Sequence, residues 1–403
     1  MGDLNGDGVS DIVGGGTDGK VYAYTGSGVR LGEYDTGDAA IEGKAAIGDI
    51  NGDGWSEVVI GVGSTFTPLA PGAVWAFDHN GTPLWSYPSG DFNGDGISDG
   101  VYSSPSVADV DGNDNGKLEI IYGGYDGYIR VLNHDGTLLW ERFVRDSIWS
   151  SPAIGDIDRD GKPEIVIGVD SHWEPAFGTE DGGMLYVLNG EDGSVLTGFP
   201  KQIDEVIWSS PVLGDPNGDS WLEIVVGTGD CWSNPVCAPG GRTHPVTKAL
   251  YGWDHLGDSL PGWPIYLSDY AFASPALGDL DGDGELEVVV NTNAAYIHAF
   301  HSDGRAVAGW PALVTTPAGH RTVVPFTTRA SPVLADLTGD GFPEVILPPN
   351  WEIVMWDREG HQLTRDSFPS APGQWELTTE YSVGGTPAVG DVDGDGKQEL
   401  IVG

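Results

Sequence analysis

A short acidic loop that runs directly into an apolar strand recurs along this chain. In its clearest copy, residues 155–168 read GDIDRDGKPEIVIG, and Asp156 is position 1 of the loop. Carboxylates occupy positions 1, 3, 5 and 9, and glycine occupies position 6. Oxygen atoms on alternate residues of a tight turn converge on one point, where a hard cation such as Ca²⁺ needs roughly six to eight of them. The pattern therefore predicts a cation-binding turn followed by a β-strand.

Eight copies of this loop follow one another and are numbered loop one to loop eight below. Position 1 of these copies is Asp3, Asp49, Asp109, Asp156, Asp215, Asp279, Asp336 and Asp391, which gives a mean repeat of about 55 residues. An extra copy, the Asp91 loop, lies between loops two and three. Repeats of about this length are typical of propellers, in which each repeat forms one blade.

The candidate metal ligands are the side chains at positions 1, 3, 5 and 9. In chain order they are Asp3, Asn5, Asp7 and Asp11; Asp49, Asn51, Asp53 and Glu57; Asp91, Asn93, Asp95 and Asp99; Asp109, Asp111, Asn113 and Glu119; Asp156, Asp158, Asp160 and Glu164; Asp215, Asn217, Asp219 and Glu223; Asp279, Asp281, Asp283 and Glu287; Asp336, Thr338, Asp340 and Glu344; and Asp391, Asp393, Asp395 and Glu399. Loop three is stretched before its final acid. We expect several Ca²⁺ ions, held more weakly where Thr338 stands at position 3 and where Ser220 replaces the glycine.

Each repeat contains four short stretches with strand character. An apolar stretch precedes the loop, a β-branched one follows it, and an alternating one such as residues 184–188 comes third. The fourth carries an aromatic residue and often follows an Asp-Gly turn, and no stretch keeps a helical period. The chain is therefore predicted to be a single all-β domain over residues 1–403, a β-propeller of four-stranded antiparallel blades with calcium loops between strands one and two.

The predicted number of blades follows from the number of loops. Loop one stands at the N-terminus and loop eight at the C-terminus. The first strand of the last repeat would complete the N-terminal blade. This pairing would close a ring of seven blades and remove the exposed sheet edges. We expect seven blades, with eight as the alternative.

The charge of the chain excludes some classes of partner. It has 61 acidic against 18 basic residues and a formal net charge of −43. A nucleic-acid phosphate backbone needs a basic face, so we expect no nucleic-acid partner. No apolar run approaches the roughly 20 residues of a membrane helix, so we expect no membrane insertion. Bound cations would offset the repulsion among so many acids.

Two cysteines and the loops together predict an extracellular location, either secreted or at the cell surface. Cys231 and Cys237 are the only cysteines and lie close together in a Pro/Gly-rich stretch, which favours a disulfide, with two free thiols as the alternative. Loops of this kind saturate at the roughly 10⁻⁴–10⁻³ M calcium that is found outside cells.

The motif Asp-x-Asp-x-Asp-Gly-x-x-Asp/Glu ahead of a strand resembles the FG-GAP/VCBS repeats of integrin α-chain headpieces and of microbial surface proteins. The resemblance covers the whole chain and implies calcium at the positions given above, with the backbone carbonyl of position 7 (Trp55, Lys162 or Glu285) as a further ligand. The Gly-Ala-Pro motif of the family is absent, and the one Phe-Gly pair, at residues 177–178, lies outside the acidic loops. Ser-Ser-Pro-x-x-Gly-Asp stands in the first strand at Ser150 and Ser209, which places the chain nearer the microbial branch.

The face opposite the calcium loops is the predicted binding face. Long insertions at residues 64–71, 171–181, 230–248 and 315–329 fall on it, as does the Asp91 loop. One position at the start of the first strand carries Tyr102, Trp149, Trp208, Phe272 and then Arg329. These residues could form a platform that Trp173 and Trp232 on the insertions extend, or they could only wedge adjacent blades together.

The motifs of known catalytic sites are absent from the sequence. We therefore interpret the chain as a calcium-stabilised module that binds carbohydrate or an extracellular protein through its insertion-rich face. Two alternatives stay open. One is a polysaccharide-degrading, lyase-like enzyme whose acids meet across distant blades, and the other is a structural coat or filament subunit.

Overall fold

The structure is a computed structural model that describes residues 1–37, 40–64, 70–92, 94–113, 115–171, 181–229, 247–314, 330–348, 353–363 and 385–402. Every regular element within these ranges is a β-strand, which confirms the all-β prediction. The chain divides into unit 1, Met1–Ser210 with Asp391–Gly396, and unit 2, Pro211–Gly390 with Lys397–Gly403. The single domain over the whole chain stays a prediction. No helix in the described ranges has the length and hydropathy needed to cross a bilayer.

Unit 1 contains fifteen strands in four antiparallel sheets. The first sheet has β1 (Ile12–Gly15), β2 (Lys20–Tyr24) and β3 (Arg30–Asp35), and the second has β4 (Ala46–Gly48), β5 (Glu57–Ser64), β6 (Ala70–Phe77) and β7 (Pro83–Pro88). The third has β8 (Ser106–Ala108), β9 (Glu119–Gly123), β10 (Tyr128–Leu132) and β11 (Leu138–Phe143), and the fourth has β12 (Ala153–Gly155), β13 (Glu164–Ser171), β14 (Gly182–Asn189) and β15 (Lys201–Ile203). Strands that follow one another in sequence are neighbours in each sheet, as in a propeller blade.

Unit 2 contains thirteen described strands in four more antiparallel sheets. The first two are β16 (Val212–Gly214), β17 (Glu223–Gly227), β18 (Ala249–Trp253) and β19 (Ile265–Tyr266), then β20 (Ala276–Gly278), β21 (Glu287–Asn291), β22 (Tyr296–Phe300) and β23 (Ala312–Leu313). The last two are β24 (Val333–Ala335), β25 (Glu344–Leu347) and β26 (Val354–Trp356), then β27 (Ala388–Gly390) and β28 (Glu399–Ile401).

The second strand of each complete sheet is buried along its whole length. Every residue of β5, β9, β13, β17 and β21 is buried. Such a strand is buried on both faces, which explains why its sequence is a continuous run rich in Val and Ile instead of an alternating pattern. Burial of one such side chain contributes about 1.5–3 kcal/mol. In unit 1, for example, Ile121 of β9 and Ile165 of β13 belong to one core cluster between the third and fourth sheets.

Loops two to eight each connect the first and second strands of a sheet, as the sequence predicts. Loop one precedes β1, and a single bridge between Gly2 and Asp11 takes the place of a first strand there. The Asp91 loop lies between β7 and β8, which is a connection from a fourth strand to the next first strand.

The C-terminal pairing differs from the one that a seven-bladed ring requires. β27 pairs with β28, so the first strand of the last repeat bonds to its own second strand instead of completing the sheet of β1. Within unit 1, the backbone carbonyl of Val392 in loop eight packs against Gly26, where a Cβ would lie only 1.5 Å from it. The described residues form eight separate sheets, and the number of blades in the ring stays a prediction.

Candidate metal centres and an aromatic cluster

The carboxylate at position 1 organises the backbone of its own loop. In loop two, Asp49 Oδ1 accepts hydrogen bonds from the N–H groups of Gly52 and Asp53 at 2.7 and 3.1 Å, and Oδ2 accepts one from Gly54 at 2.8 Å. Loops one and seven and the Asp91 loop repeat all three contacts. The first aspartate therefore folds the turn, besides being a candidate ligand.

The side chains at positions 3 and 5 are fixed by the next N–H groups of the loop. In loop two, Asn51 Oδ1 accepts from Asp53 N–H at 2.8 Å, and Asp53 Oδ1 accepts from Trp55 N–H at 2.9 Å. In loop three the second of these contacts is made by Asn115, which accepts from Lys117 N–H at 2.8 Å. Asn115 therefore occupies position 5 of loop three. Counting back four residues from Glu119 gives the same position. Asn113 donates its side-chain amide N–H to Asp111.

The acid at position 9 is buried in eight of the nine loops, and Glu399 of loop eight is half-buried. Glu57, Glu164 and Glu223 are each 1% exposed and Glu287 is 0% exposed, and Asp11, Asp99, Glu119 and Glu344 are also buried. One carboxylate oxygen accepts the N–H of position 2, as Glu164 Oε2 does from Ile157 at 2.7 Å. Burial raises the pKa of Glu57 and Glu164 to about 7 and that of Glu223 to about 8. An anion held there needs a counter-charge.

Two of these loops contain buried carboxylate oxygens without a hydrogen-bond partner in the described part of the chain. Asp156 Oδ1 and Glu223 Oε2 are buried and have no hydrogen-bond partner among the described residues. Oxygens from Asp156, Asp158 and Glu164 lie within 4.8 Å of one another, and so do oxygens from Asp215, Asp219 and Glu223. An all-oxygen set with unsatisfied buried atoms fits the ligand preference of Ca²⁺.

The loops require left-handed backbone at two positions, of which the sequence reasoning identified only position 6. Position 4 also has positive φ, and it is glycine in most copies, as at Gly6 and Gly52. The recurring Asn-Gly-Asp-Gly sequence carries this signal. Loop four places Arg159 at position 4 with φ 61°, and loop five places Ser220 at position 6 with φ 72°. Side chains with a Cβ are strained in this region.

Hairpin turns between the third and fourth strands contact the loops. Trp55 at position 7 of loop two stacks on His79 with ring centroids 4.4 Å apart, and Trp221 of loop five stacks on His255 at 3.8 Å. In loop seven the Arg358 guanidinium lies 4.0 Å from the centroid of the Phe342 ring. Both connections therefore lie at one end of each sheet. His79, His134 and His255 each stand in an Asx-His-x-Gly sequence, a recurrence that is visible in the sequence alone.

Four aromatic side chains form a cluster in unit 1. Tyr102 and Trp149 stack with centroids 4.7 Å apart and planes inclined by 10°, and Trp208 follows Trp149 at 5.9 Å. Tyr125 meets both Tyr102 and Trp149 edge-on at 5.7 Å. We call these four residues the aromatic cluster. Tyr102 is buried, and Trp149 and Trp208 are half-buried. Tyr125 lies between two strands and carries no repeat signal in the sequence.

An acidic residue borders the aromatic cluster. Asp170 Oδ2 accepts hydrogen bonds from Trp208 Nε1 at 3.2 Å and from Ser147 Oγ at 3.0 Å. Burial raises the pKa of Tyr125 to about 12, with the charge of Asp170 as the next contribution. The cluster therefore combines apolar ring faces with fixed carboxylate charge.

The remaining predicted residues lie elsewhere. Phe272 belongs to unit 2, where it contacts Tyr270 at 6.3 Å. Asn93, Trp173, Trp232, Arg329, Cys231 and Cys237 lie outside the described residues. Their roles as ligand-binding residues, metal ligand and disulfide partners stay predictions.

Comparison with solved structures places the fold in the β-propeller class. The chain is similar to the V. cholerae biofilm matrix protein Bap1, with a TM-score of 0.62 and 16% identity over 99% of this chain and 83% of that one. BamB from Moraxella catarrhalis gives TM-score 0.55 and 15% identity over 88% and 82% of the two chains. A europium-containing methanol dehydrogenase gives a TM-score of 0.54 and 14% identity over 84% of this chain and 71% of that one. These likenesses show the fold.

Sequence comparison finds repeat-family matches in parts of the chain. The description FG-GAP-like repeat matches residues 3–60 and 279–347, and FG-GAP repeat matches residues 148–188. These stretches carry FG-GAP-type repeats, and together with the structural likenesses they support an FG-GAP-type β-propeller. Human phosphatidylinositol-glycan-specific phospholipase D is 26% identical over 187 residues, which are 43% of this chain and 21% of that protein. The matched part thus spans about a fifth of that relative.

Proposed function

We propose that this chain is a calcium-stabilised extracellular β-propeller that binds carbohydrate or protein through the face that carries the aromatic cluster. The observation that carries the proposal is the stacked row of Tyr102, Trp149 and Trp208, in which Tyr102 is buried and the two tryptophans are half-buried. Aromatic faces beside a hydrogen-bonding acid are a usual arrangement for binding a ring-shaped or apolar ligand.

Calcium has a structural role in this proposal. The buried acids at position 9 and the unsatisfied oxygens of Asp156 and Glu223 support a cation in the loops. A bound Ca²⁺ would supply the counter-charge, and it would tie the first strand of a sheet to the second. The concentration at which such sites fill supports an extracellular location.

The likeness to a biofilm matrix protein supports a binding or adhesion role. Connections from the fourth strand of one sheet to the first strand of the next lie at the end of the sheet opposite the calcium loops. Tyr102, Trp149 and Trp208 belong to these connections, and Tyr125 belongs to the turn between β9 and β10. Loops at one end of a rigid scaffold commonly carry binding residues.

The proposal is tested by binding to an array of neutral and acidic glycans in calcium buffer. We expect binding to at least one glycan class, reduced about tenfold or more by Trp149→Ala with Trp208→Ala, because each lost stacking contact is worth roughly 0.5–1.5 kcal/mol. Tyr266→Ala is the matched control, since Tyr266 is an aromatic side chain that is 74% exposed at another site.

Two results would contradict the proposal. Glycan binding that is unchanged in the double variant would exclude the aromatic cluster. Failure to bind any glycan, together with failure to retain a surface protein in a pull-down, would exclude the binding role. The same incubations with acidic polysaccharides test the lyase-like alternative, which predicts unsaturated products with ultraviolet absorbance.

A further inference from the structure

The Asp91 loop differs from the other acidic loops in the side chain at its position 2. In six of the others this residue is aliphatic and at most 5% exposed, namely Leu4, Ile50, Val110, Ile157, Leu280 and Val392. Position 2 of the Asp91 loop is Phe92, which is 57% exposed. Its backbone contact is the usual one, since Phe92 N–H donates to Asp99 Oδ2 at 2.8 Å. The Asp91 loop thus presents to solvent the apolar side chain that its counterparts place in the core.

Phe92 belongs to a contiguous patch of three aromatic rings. Its ring centroid lies 6.1 Å from that of Phe143 in β11, and the Phe143 ring lies 4.8 Å from the Tyr128 ring. Phe143 is 44% exposed and Tyr128 is half-buried. We call Phe92, Tyr128 and Phe143 the Phe92 patch, which shares no residue with the aromatic cluster. Single exposed apolar residues are usual on protein surfaces, whereas contiguous exposed ones commonly mark an interaction site.

Carboxylates of the Asp91 loop and of the third sheet surround the Phe92 patch. Asp99 Oδ2 accepts the N–H of position 2, and Asp91 and Asp95 are exposed on the same loop. Asp126 Oδ2 accepts the N–H of Gly90, the residue that precedes the loop, at 2.5 Å. The rings therefore lie among several fixed negative charges.

One guanidinium lies beside the Phe92 patch, and carboxylates already pair with it. Arg130 is 4% exposed and lies 4.7 Å from the centroid of the Tyr128 ring. Its Nη2 pairs with Asp126 at 2.6 Å, and its Nε pairs with Glu141 at 3.0 Å. This contact also shows, within the chain itself, that a cation fits between an aromatic ring and these acids.

The balance of charge around the Phe92 patch is negative. Five carboxylates, three of them in the Asp91 loop, stand against the guanidinium of Arg130. Arg142 of β11 lies 5.7 Å from the ring centroid of Tyr186 in the fourth sheet, and the charge of Arg145 also acts on Tyr186. A Ca²⁺ in the Asp91 loop would leave the balance negative. The charge therefore favours a basic occupant, and a second copy of this chain, with its net charge of −43, would be repelled.

The Phe92 patch also adjoins a sheet edge. In the described part of the chain, β11 lies at the edge of the third sheet, and Phe143 is its last residue. An edge strand offers backbone N–H and C=O groups with which an extended peptide can pair. A peptide segment uses the edge, the rings and the carboxylates together, which favours a protein over a glycan at this place.

We propose that the Phe92 patch docks an extended segment of a partner protein in which an apolar side chain is flanked by Lys or Arg. The apolar side chain covers Phe92 and Phe143, and the basic side chains face the surrounding carboxylates. This surface is additional to the aromatic cluster, and it does not depend on what the cluster binds.

The test selects peptides from a random library on the full chain, in Ca²⁺ buffer at about 0.15 M salt. We expect enrichment of sequences that place an apolar residue between Lys or Arg residues. The affinity of the selected peptides should fall at least about threefold at about 1 M salt, where the Debye length is only about 3 Å.

Phe92→Ser with Phe143→Thr removes both exposed rings. It should weaken the selected peptides at least about tenfold, since truncation of a central aromatic residue of an interface commonly costs that much. Leu256→Ser with Leu313→Thr is the matched control, because Leu256 is a turn residue that is 60% exposed and Leu313 is an edge-strand residue that is 50% exposed. This control and the double variant of the aromatic cluster should both bind the peptides like the unchanged chain.

Four outcomes would overturn the assignment. A selection that yields no peptides, or peptides without basic residues, would exclude the basic segment. Peptide binding that is unchanged in Phe92→Ser with Phe143→Thr would exclude the Phe92 patch, and Phe92→Ser alone repeats this test if the change in β11 disturbs folding. A dimer of the unchanged chain that dissociates in the variant, seen by sedimentation, would make a second copy the occupant. Loss of glycan binding in the variant would make the patch part of a glycan site.

Discussion

Replacing the buried acid of loop four should have opposite effects on stability with and without calcium. Glu164 is 1% exposed, and burial raises its pKa from 4.5 to about 7. Because the folded-state pKa is the higher one, the folded protein binds more protons between these values. The resulting cost of the anion is absent below about pH 4.5 and complete above about pH 7.

The magnitude follows from the size of the shift. A difference of about 2.5 units between the folded and unfolded pKa of Glu164 corresponds to at most about 3 kcal/mol in the free energy of unfolding. Glu164→Gln keeps the size of the side chain and removes the charge. In chelator at pH 8, we therefore expect the variant to gain up to about 3 kcal/mol in free energy of unfolding, and to gain little at pH 5.

Saturating Ca²⁺ should reverse the sign of the effect of Glu164→Gln on the free energy of unfolding. The ion then supplies the counter-charge, and the amide is a poorer ligand, so the variant should lose about 1–3 kcal/mol relative to the unchanged chain. Urea unfolding followed by tryptophan fluorescence, with and without Ca²⁺, measures both values. Glu191→Gln is the control, since Glu191 is an exposed acid that pairs with Lys162. Equal signs in the two conditions would refute the cation role of Glu164.

Three further predictions concern backbone strain, protonation and loop affinity. Ser220→Gly should raise the melting temperature, because it removes roughly 1 kcal/mol of left-handed backbone strain at φ 72°. Gly218→Ala in the same loop should lower the melting temperature. A lower melting temperature for Ser220→Gly would contradict this prediction. Burial lowers the pKa of His298 from 6.5 to about 4, so the folded state should lose stability as the pH falls from 6.5 to 4, and His298→Gln should lack that part of the pH dependence in denaturant titrations. Thr338→Asp should strengthen calcium binding in loop seven, seen as one more ion retained after mild chelation, and unchanged retention would show that position 3 does not limit affinity.

Much of the fold could be predicted because its signals are local and repeated. The acidic loop, the Val/Ile run after it and the hairpin turn recur in each repeat, and each sheet forms from neighbouring strands. Short-range pairing of this kind follows directly from residue pattern. The closure of the ring depends on how the first and last repeats meet, which no local pattern encodes. The pairing of β27 with β28 differs from the one that a ring of seven blades requires, and the number of blades stays a prediction.

The side-chain contacts between separate loops and turns were harder to predict than the loops themselves. Nothing in the sequence places His79 on Trp55 or His301 against Glu287, because these pairs are separated along the chain and meet only when the sheet forms. Tyr125 joins Tyr102 and Trp149 for the same reason. Two features of the loops could be predicted from the sequence. The glycine at position 4 recurs, and counting back from Glu119 assigns Asn115 to position 5 of loop three.

The melting temperature of the full chain with and without calcium tests the central claim most directly. Each site filled at about 100 times its Kd adds roughly 2.7 kcal/mol, and about 2–4 °C per kcal/mol is usual for a large domain. Several filled loops therefore predict a fall of at least about 10 °C when EDTA replaces Ca²⁺ at constant ionic strength, restored by added Ca²⁺. An unchanged melting temperature would contradict a stabilising role of cations in these loops.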